Sequence, residues 1–170
     1  MIQLNLQDTQ WPFEGVREVR KVARAIVFDE QKRIAIHSIS RDDIFGCQSY
    51  YETPGGGVEE GEDFPQAAIR ECAEELGYHV QVIQELGEVD DYYNLIHREN
   101  INRFFLAKRG EKCPLHLVSE GDSLIKRTDW IDVSEAISRY LKMPENGVSM
   151  LVKARELPIL REAQKILDSF

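Results

Sequence analysis

Cysteine is scarce in this chain. Cys47, Cys72 and Cys113 are odd in number, widely spaced and form no Cys-x-x-Cys pair, which excludes a disulfide framework and fits a reducing compartment. Histidine is equally thin: His37, His79, His97 and His116 lack zinc-type ligand spacing, so each is expected to be a surface or strand residue. No stretch approaches the roughly 18 apolar residues of a membrane span. The first eight residues have neither the basic start nor the apolar run of a signal peptide. A cytoplasmic protein without a membrane partner is expected. Basic residues are outnumbered, with 21 Lys+Arg against 30 Asp+Glu and a formal charge of −9. That balance argues against a nucleic-acid polymer as the main partner, because such binding relies on cations that displace counterions. Repeats, low-complexity tracts and Pro/Gly/Ser linkers are absent, so residues 1–170 are expected to form a single domain.

What is present is an alternation of strand-like and helix-like segments. Residues 22–28 and 34–39, joined by the turn-like run Asp29-Glu30-Gln31-Lys32, predict a β-hairpin. A loop from 41 to 50 leads to a short strand at 50–53 and then to a special turn at Pro54-Gly55-Gly56-Gly57. Helical periodicity begins at Phe64 or Pro65, with Asp63 as N-cap, and stops at Gly77. Residues 80–83, 87–89 and 102–108 have strand composition, and 110–128 reads as irregular. A strand at 130–133 leads into a helix capped at Ser134. The tail, 149–167, reads as helical with a break at Pro158. The pattern predicts an α/β protein with a mixed sheet covered on both faces.

The helix near Pro65 carries the chemistry. At about 100° per residue, Ala68, Ile69, Cys72 and Leu76 fall on one side and Glu71, Glu74 and Glu75 on the other. Carboxylates at this spacing repel by a few tenths of a kcal/mol per pair, so they need full solvation or a cation. Hard oxygen ligands in this arrangement suit Mg²⁺ or Mn²⁺. An acidic face alone is ordinary for a glutamate-rich helix. Its context is not: a triple glycine lies upstream, Glu62 sits in the connecting turn, and Arg70 precedes Glu71.

Gly56, Glu62, Arg70, Glu71, Glu74, Glu75 and Gly77 together resemble the complete 23-residue box of Nudix hydrolases, spanning residues 56–78. A chance match at seven fixed positions is on the order of one in a million at average composition. Cys72 and Tyr78 are weaker matches to the box's two apolar positions. The segments 51–54 and 130–136 are also similar to family segments, so the resemblance spans roughly residues 20–140. It implies a Nudix-type α/β/α sandwich, with residues 1–20 and the helices of 134–170 peripheral. It also implies metal-dependent hydrolysis of a diphosphate linkage in a nucleoside diphosphate-linked substrate. Glu74, Glu75, Glu71 and the Gly55 carbonyl would hold the metal. Glu71 would be a further ligand or the base, Arg70 would hold the carboxylates, and Glu62 would assist catalysis or brace the loop. Some members take the base from a loop outside the box, where Glu120, Asp122 and Asp129 are candidates.

The resemblance leaves the substrate open among nucleoside triphosphates, oxidised nucleotides, ADP-ribose, nucleotide sugars and dinucleoside polyphosphates. Arg41 resembles a position that contacts phosphate. Tyr92 and Tyr93 are candidates to stack on a base, or alternatively to close a hairpin. Gln10-Trp11-Pro12-Phe13 is a candidate to pack across a homodimer partner. Two rivals remain: a silent nucleotide-binding module, disfavoured because no box glutamate is missing, and an isoprenoid-diphosphate isomerase using Cys47, disfavoured by the intact box.

Overall fold

The computed structural model describes residues 1–117 and 119–170. In chain order its elements are β1 (Ile2–Leu6), β2 (Glu18–Phe28), β3 (Ile34–Asp43), β4 (Gly46–Glu52), β5 (Gly55–Gly57), α1 (Phe64–Leu76), β6 (Tyr78–Tyr93), β7 (Arg98–Lys112), β8 (Ile125–Ile131), α2 (Val133–Leu141) and α3 (Gly147–Asp168). The strands run β1-β6-β7-β2-β3-β4, with β5 on β2 and β8 on β3. β1 is parallel to β6 and β2 to β7, while the other pairs are antiparallel, so the sheet is mixed as expected.

Period-2 alternation along the central strands divides the core between two faces. Ile26 and Phe28 of β2 and Phe104 and Leu106 of β7 face the large core shared with α2 and α3. Ala23, Ala25 and Val27, with Phe105 and Ala107, face α1. The result is the expected α/β/α sandwich.

Several local expectations change. The β2–β3 hairpin is closed only at its tip, where Phe28 pairs with Ile34. Farther along, β2 already pairs with β7 on one edge and β5 on the other, so β3 diverges to take β4 and β8. That divergence opens the cleft described below. The expected loop at 41–50 is a long β3–β4 hairpin, and Gly110–Lys112 continue β7. The helix expected to be capped at Ser134 starts at Val133, with Asp132 as N-cap.

The C-terminal helices are not peripheral. Val148, Val152, Ile159, Leu160, Ala163 and Leu167 place one face of α3 in the main core. Pro158 lies inside one continuous helix rather than at a break. An interior proline costs about 3 kcal/mol; burying the apolar stripe on both sides of it outweighs that cost. The first twenty residues are also integrated. β1 forms the sheet edge, Gln10 bonds to Gly147, Trp11 meets Phe45 edge-on at 5.8 Å, and Phe13 meets Tyr92 at 6.3 Å. The segment considered for a partner subunit is thus seated on its own chain.

Candidate active site

Local signals fix α1. The Asp63 side chain accepts from the Gln66 backbone N–H, and the Gln66 side chain accepts from the Asp63 N–H, forming a capping box. Gly77 ends the helix in the left-handed region at φ 72°. Small residues on both sides, Ala67, Ala68 and Cys72 on the helix and Ala23 and Ala25 on β2, allow close packing on the sheet. This rotates the helix relative to the simple wheel. Ile69, expected on the buried side, is 36% exposed, whereas Glu71 and Glu75 are buried at 8% and 6%.

Both glutamates therefore point under the glycine turn. A Cβ on Gly56 would lie 2.5 Å from Glu71 Oε1, so only glycine permits this approach. The Gly55 N–H donates to Glu75 Oε1 at 2.8 Å. Asp122, 5% exposed in the short turn before β8, brings a third carboxylate, and ligand oxygens of Glu71, Glu75 and Asp122 lie within 4.8 Å of one another. Burial first, and then the neighbouring Glu75 charge, push the Glu71 carboxyl up to about 7. Burial raises Glu75 as well, against the opposing effect of His37.

Arg70 holds the acidic segment in shape. Its guanidinium donates to Glu62 at 2.7 Å, to the Gly57 carbonyl at 2.9 Å, to Glu71 at 2.8 Å and to Glu74 at 3.3 Å. The bond to Glu62 is the main reason its pKa rises. Glu62 also accepts the Glu59 N–H, so it braces the loop against the helix. Glu74, expected among the metal ligands, lies on Arg70 and outside the Glu71–Glu75–Asp122 group. Of the candidates outside the box, Asp122 enters the site, Glu120 is exposed, and Asp129 pairs with Arg127 and Arg139.

The carboxylates border a cleft of about 380 Å³ in the gap between β2 and β3. Arg20, Arg24, Arg41, Arg98 and Arg155 line the same cleft. Among the described residues Arg20 makes no hydrogen bond or ion pair, Arg41 is held by Asp43 and Tyr50, and Arg98 by Glu18. Tyr93 lines the cleft and accepts from Arg155 at 2.9 Å; Tyr92 is not among the lining residues and meets Phe13. Cys47 is exposed on β4 away from the lining, which removes the geometric basis for a cysteine isomerase.

Beneath the cleft lies a buried ionic network from α3. Arg155 donates to Glu52, Asp91 and Glu156, and Arg24 reaches Glu52 at 2.7 Å. Burial would raise the Glu52 carboxyl, but Arg24 and Arg155 outweigh it and hold it below its ordinary range. Glu156 accepts from the Thr53 N–H and the Tyr140 hydroxyl, each at 2.8 Å. Sequence reasoning missed this network. A signal existed, because Arg155 and Glu156 fall within the apolar stripe of α3.

Three buried carboxylates at close range, with hard oxygen donors and open space beside them, fit a divalent cation. The α/β/α sandwich that carries this group is a fold shared with two solved structures. One is a Nudix hydrolase from Nitrosomonas europaea, with TM-score 0.64, 16% identity, and coverage of 86% of this chain and 88% of that one. The other is the MutT protein from Methanosarcina mazei Go1, with TM-score 0.61, 15% identity, and coverage of 91% and 97%. At these identities the likeness is one of fold. The NUDIX domain model matches residues 18–151, and this chain belongs to that family. It is also 35% identical over 79 residues to an RNA pyrophosphohydrolase of Wolbachia pipientis subsp. Culex pipiens (strain wPip). That match spans about half of each protein, 46% of this chain and 46% of the relative.

Proposed function

We propose that this protein is a divalent-metal-dependent hydrolase of a phosphoanhydride linkage in a nucleotide. The observation that carries the reading is the meeting, in one cleft, of the Glu71–Glu75–Asp122 carboxylates and an arginine-lined floor. Glu71, Glu75 and Asp122 would hold Mg²⁺ or Mn²⁺, and Glu74 would join them only on release from Arg70. When bound, the metal supplies charge neutralisation and an acidified water.

The chain's own groups do the remaining work. Arg20, without a hydrogen bond or ion pair among the described residues, and Arg41 and Arg98, held by surface carboxylates, can take phosphoryl oxygens that the metal side does not reach. Arg70 fixes the carboxylate of Glu71 through Oε1, which leaves Oε2 to face the metal or to take a proton from water. Asp122 is the second candidate for that proton. Phe45 and Tyr93 give the cleft an aromatic wall against which a base can pack.

Arg20, Arg41 and Arg98 on one cleft, in addition to the carboxylates that would hold the metal, favour a polyphosphate chain over a linked sugar. The relative's description as an RNA pyrophosphohydrolase favours one particular case, the 5′-triphosphate end of an RNA. Only the 5′ end has to enter, so the net charge of −9 does not oppose it as it would a protein tracking a long polyanion.

The test is product release from nucleoside triphosphates, a 5′-triphosphorylated oligoribonucleotide, ADP-ribose and a dinucleoside tetraphosphate, with Mg²⁺ or Mn²⁺. Turnover is expected on the polyphosphates and should fall by at least 100-fold in Glu75→Gln. Metal-independent turnover, or full activity in Glu75→Gln, would refute the reading.

A further inference from the structure

His37 is the one histidine that enters the site. It is 1% exposed on β3, and its imidazole Nε2 lies 3.2 Å from Glu75 Oε2. On the other side of the ring, Nδ1 is 2.7 Å from Thr128 Oγ1. These contacts follow from sheet register, since His37 and Thr128 sit directly opposite one another on β3 and β8. Nothing in local sequence links positions 37, 75 and 128; the divergence of β3 from β2 brings them together.

The proton positions follow from the partners. An ionised Glu75 only accepts, so Nε2 must carry the hydrogen that faces it, which leaves Nδ1 to accept from the Thr128 hydroxyl. At 3.2 Å the Nε2–Oε2 approach is an ion-pair contact rather than a well-aligned hydrogen bond, and Nε2 has no hydrogen-bond partner among the described residues. A small rotation of the carboxylate would straighten it. The other Glu75 oxygen is held by the Gly55 N–H. Gly55 thus holds one oxygen of the Glu75 carboxylate by a hydrogen bond, and His37, oriented by Thr128, lies against the other, in a site where Glu71 and Asp122 are the neighbouring acids and Arg24 a nearby cation. His37 lines the cleft but lies outside the group of ligand atoms within 4.8 Å of one another that Glu71, Glu75 and Asp122 form, so its one contact in that group is Glu75.

We infer that His37 is a positioning residue for Glu75: oriented by Thr128, it fixes the rotamer in which Glu75 serves as a metal ligand and so sets the affinity of the site for divalent ions. The inference rests on the metal-binding reading above. Groups that orient ligands in this way typically contribute 10- to 100-fold to affinity.

The test is Mn²⁺ binding to the purified full chain, without substrate, by electron paramagnetic resonance of the free ion and by calorimetry. Wild type, Glu75→Gln, His37→Leu, His37→Gln and Thr128→Val are compared, and thermal melts with EDTA establish that each is folded. His37→Leu is expected to weaken Mn²⁺ binding about tenfold or more. His37→Gln, whose amide N–H can reach the position of Nε2, should recover most of the loss, and Thr128→Val should shift affinity in the same direction by less. Should His37→Leu not fold, the Gln and Val variants carry the test, with unchanged affinity in Thr128→Val overturning the inference. Wild-type affinity in a folded His37→Leu, with binding lost in Glu75→Gln, would overturn the inference and leave the metal reading standing. No Mn²⁺ binding by wild type would overturn both. The same titrations are run with Co²⁺, which favours imidazole more than Mn²⁺ does, and a loss in His37→Leu confined to Co²⁺ would make His37 a direct ligand and overturn the positioning role.

Discussion

The buried Glu71 carboxyl makes the metal-free protein sensitive to pH in a direction opposite to that of a salt-bridged acid. Its pKa in the folded chain is about 7 against an ordinary 4.5, because burial and the Glu75 charge outweigh the Arg70 hydrogen bond. Below pH 4.5 the carboxyl is protonated in both folded and unfolded chains and contributes no penalty. Between 4.5 and about 7 the unfolded chain releases its proton first, so stability falls as pH rises; above about 7 the full cost is present. Moving a carboxyl over this interval corresponds to about 3 kcal/mol at most. For a chain of 170 residues that is roughly 6 to 12 °C in Tm.

Glu71→Gln keeps the shape and removes the charge. Urea denaturation of wild type and variant in EDTA, from pH 4.5 to 8, is the direct assay. Wild type should lose up to about 3 kcal/mol relative to the variant over that range, including the part transmitted through Glu75. Saturating Mn²⁺ should narrow the gap at pH 8 by binding the ionised folded site. At pH 8 without metal the variant should be the more stable protein, even though its turnover is lost. Parallel pH curves for the two proteins would refute the placement of Glu71 in a desolvated, like-charged site.

Gly56→Ala should leave the melting curve nearly unchanged but lower kcat by roughly 100-fold, because the new Cβ displaces the Glu71 carboxylate by about an ångström; steady-state rates beside a thermal melt check this, and wild-type turnover would contradict it. Glu156→Ala removes the acceptor for the Thr53 N–H and the Tyr140 hydroxyl and leaves Arg155 short of a partner. It should cost about 3 to 5 kcal/mol in urea denaturation. Glu156→Gln should cost clearly less, since it keeps an oxygen for both donors.

What the sequence revealed follows the range over which each signal acts. The ends of α1 are legible because Asp63, Pro65 and Gly77 act on their own backbone within one turn; the Gln66 half of the capping box is seen only in the structure. The acidic group was legible as a set but not in its membership. Helix geometry alone treats Glu74 and Glu75 alike, and only packing on the small side chains of β2 turns Glu71 and Glu75 inward and leaves Glu74 on Arg70. Asp122 could be named only as one of three loop acids, since its place depends on where β8 joins β3. His37 gave no signal, because a single histidine in a strand has no spacing to interpret. The turn residues predict the hairpin at 22–39 but not its opening, because β5 and β7 compete for the edges of β2 from 30 or more residues away.

The C-terminal helix α3 bears most directly on function. The segment from Thr53 to Gly55 is pinned from both layers of the sandwich: the Thr53 N–H donates to Glu156 of α3, the Pro54 carbonyl accepts from Ala25 of the sheet, and the Gly55 N–H donates to Glu75 of α1. Three consecutive residues thus take one bond each from the helix on one face, the central strand, and the helix on the other. A loop held by α1 alone could move with that helix and keep its contact to Glu75 while the arginine floor stayed behind. With Glu156 and Arg155 fixing the same loop and Glu52 to the opposite face, the carboxylates and the phosphate-facing cations are tied to one frame. Burying a charged pair in the apolar stripe of α3 lowers the margin of stability, and what it secures is the distance between the two halves of the cleft.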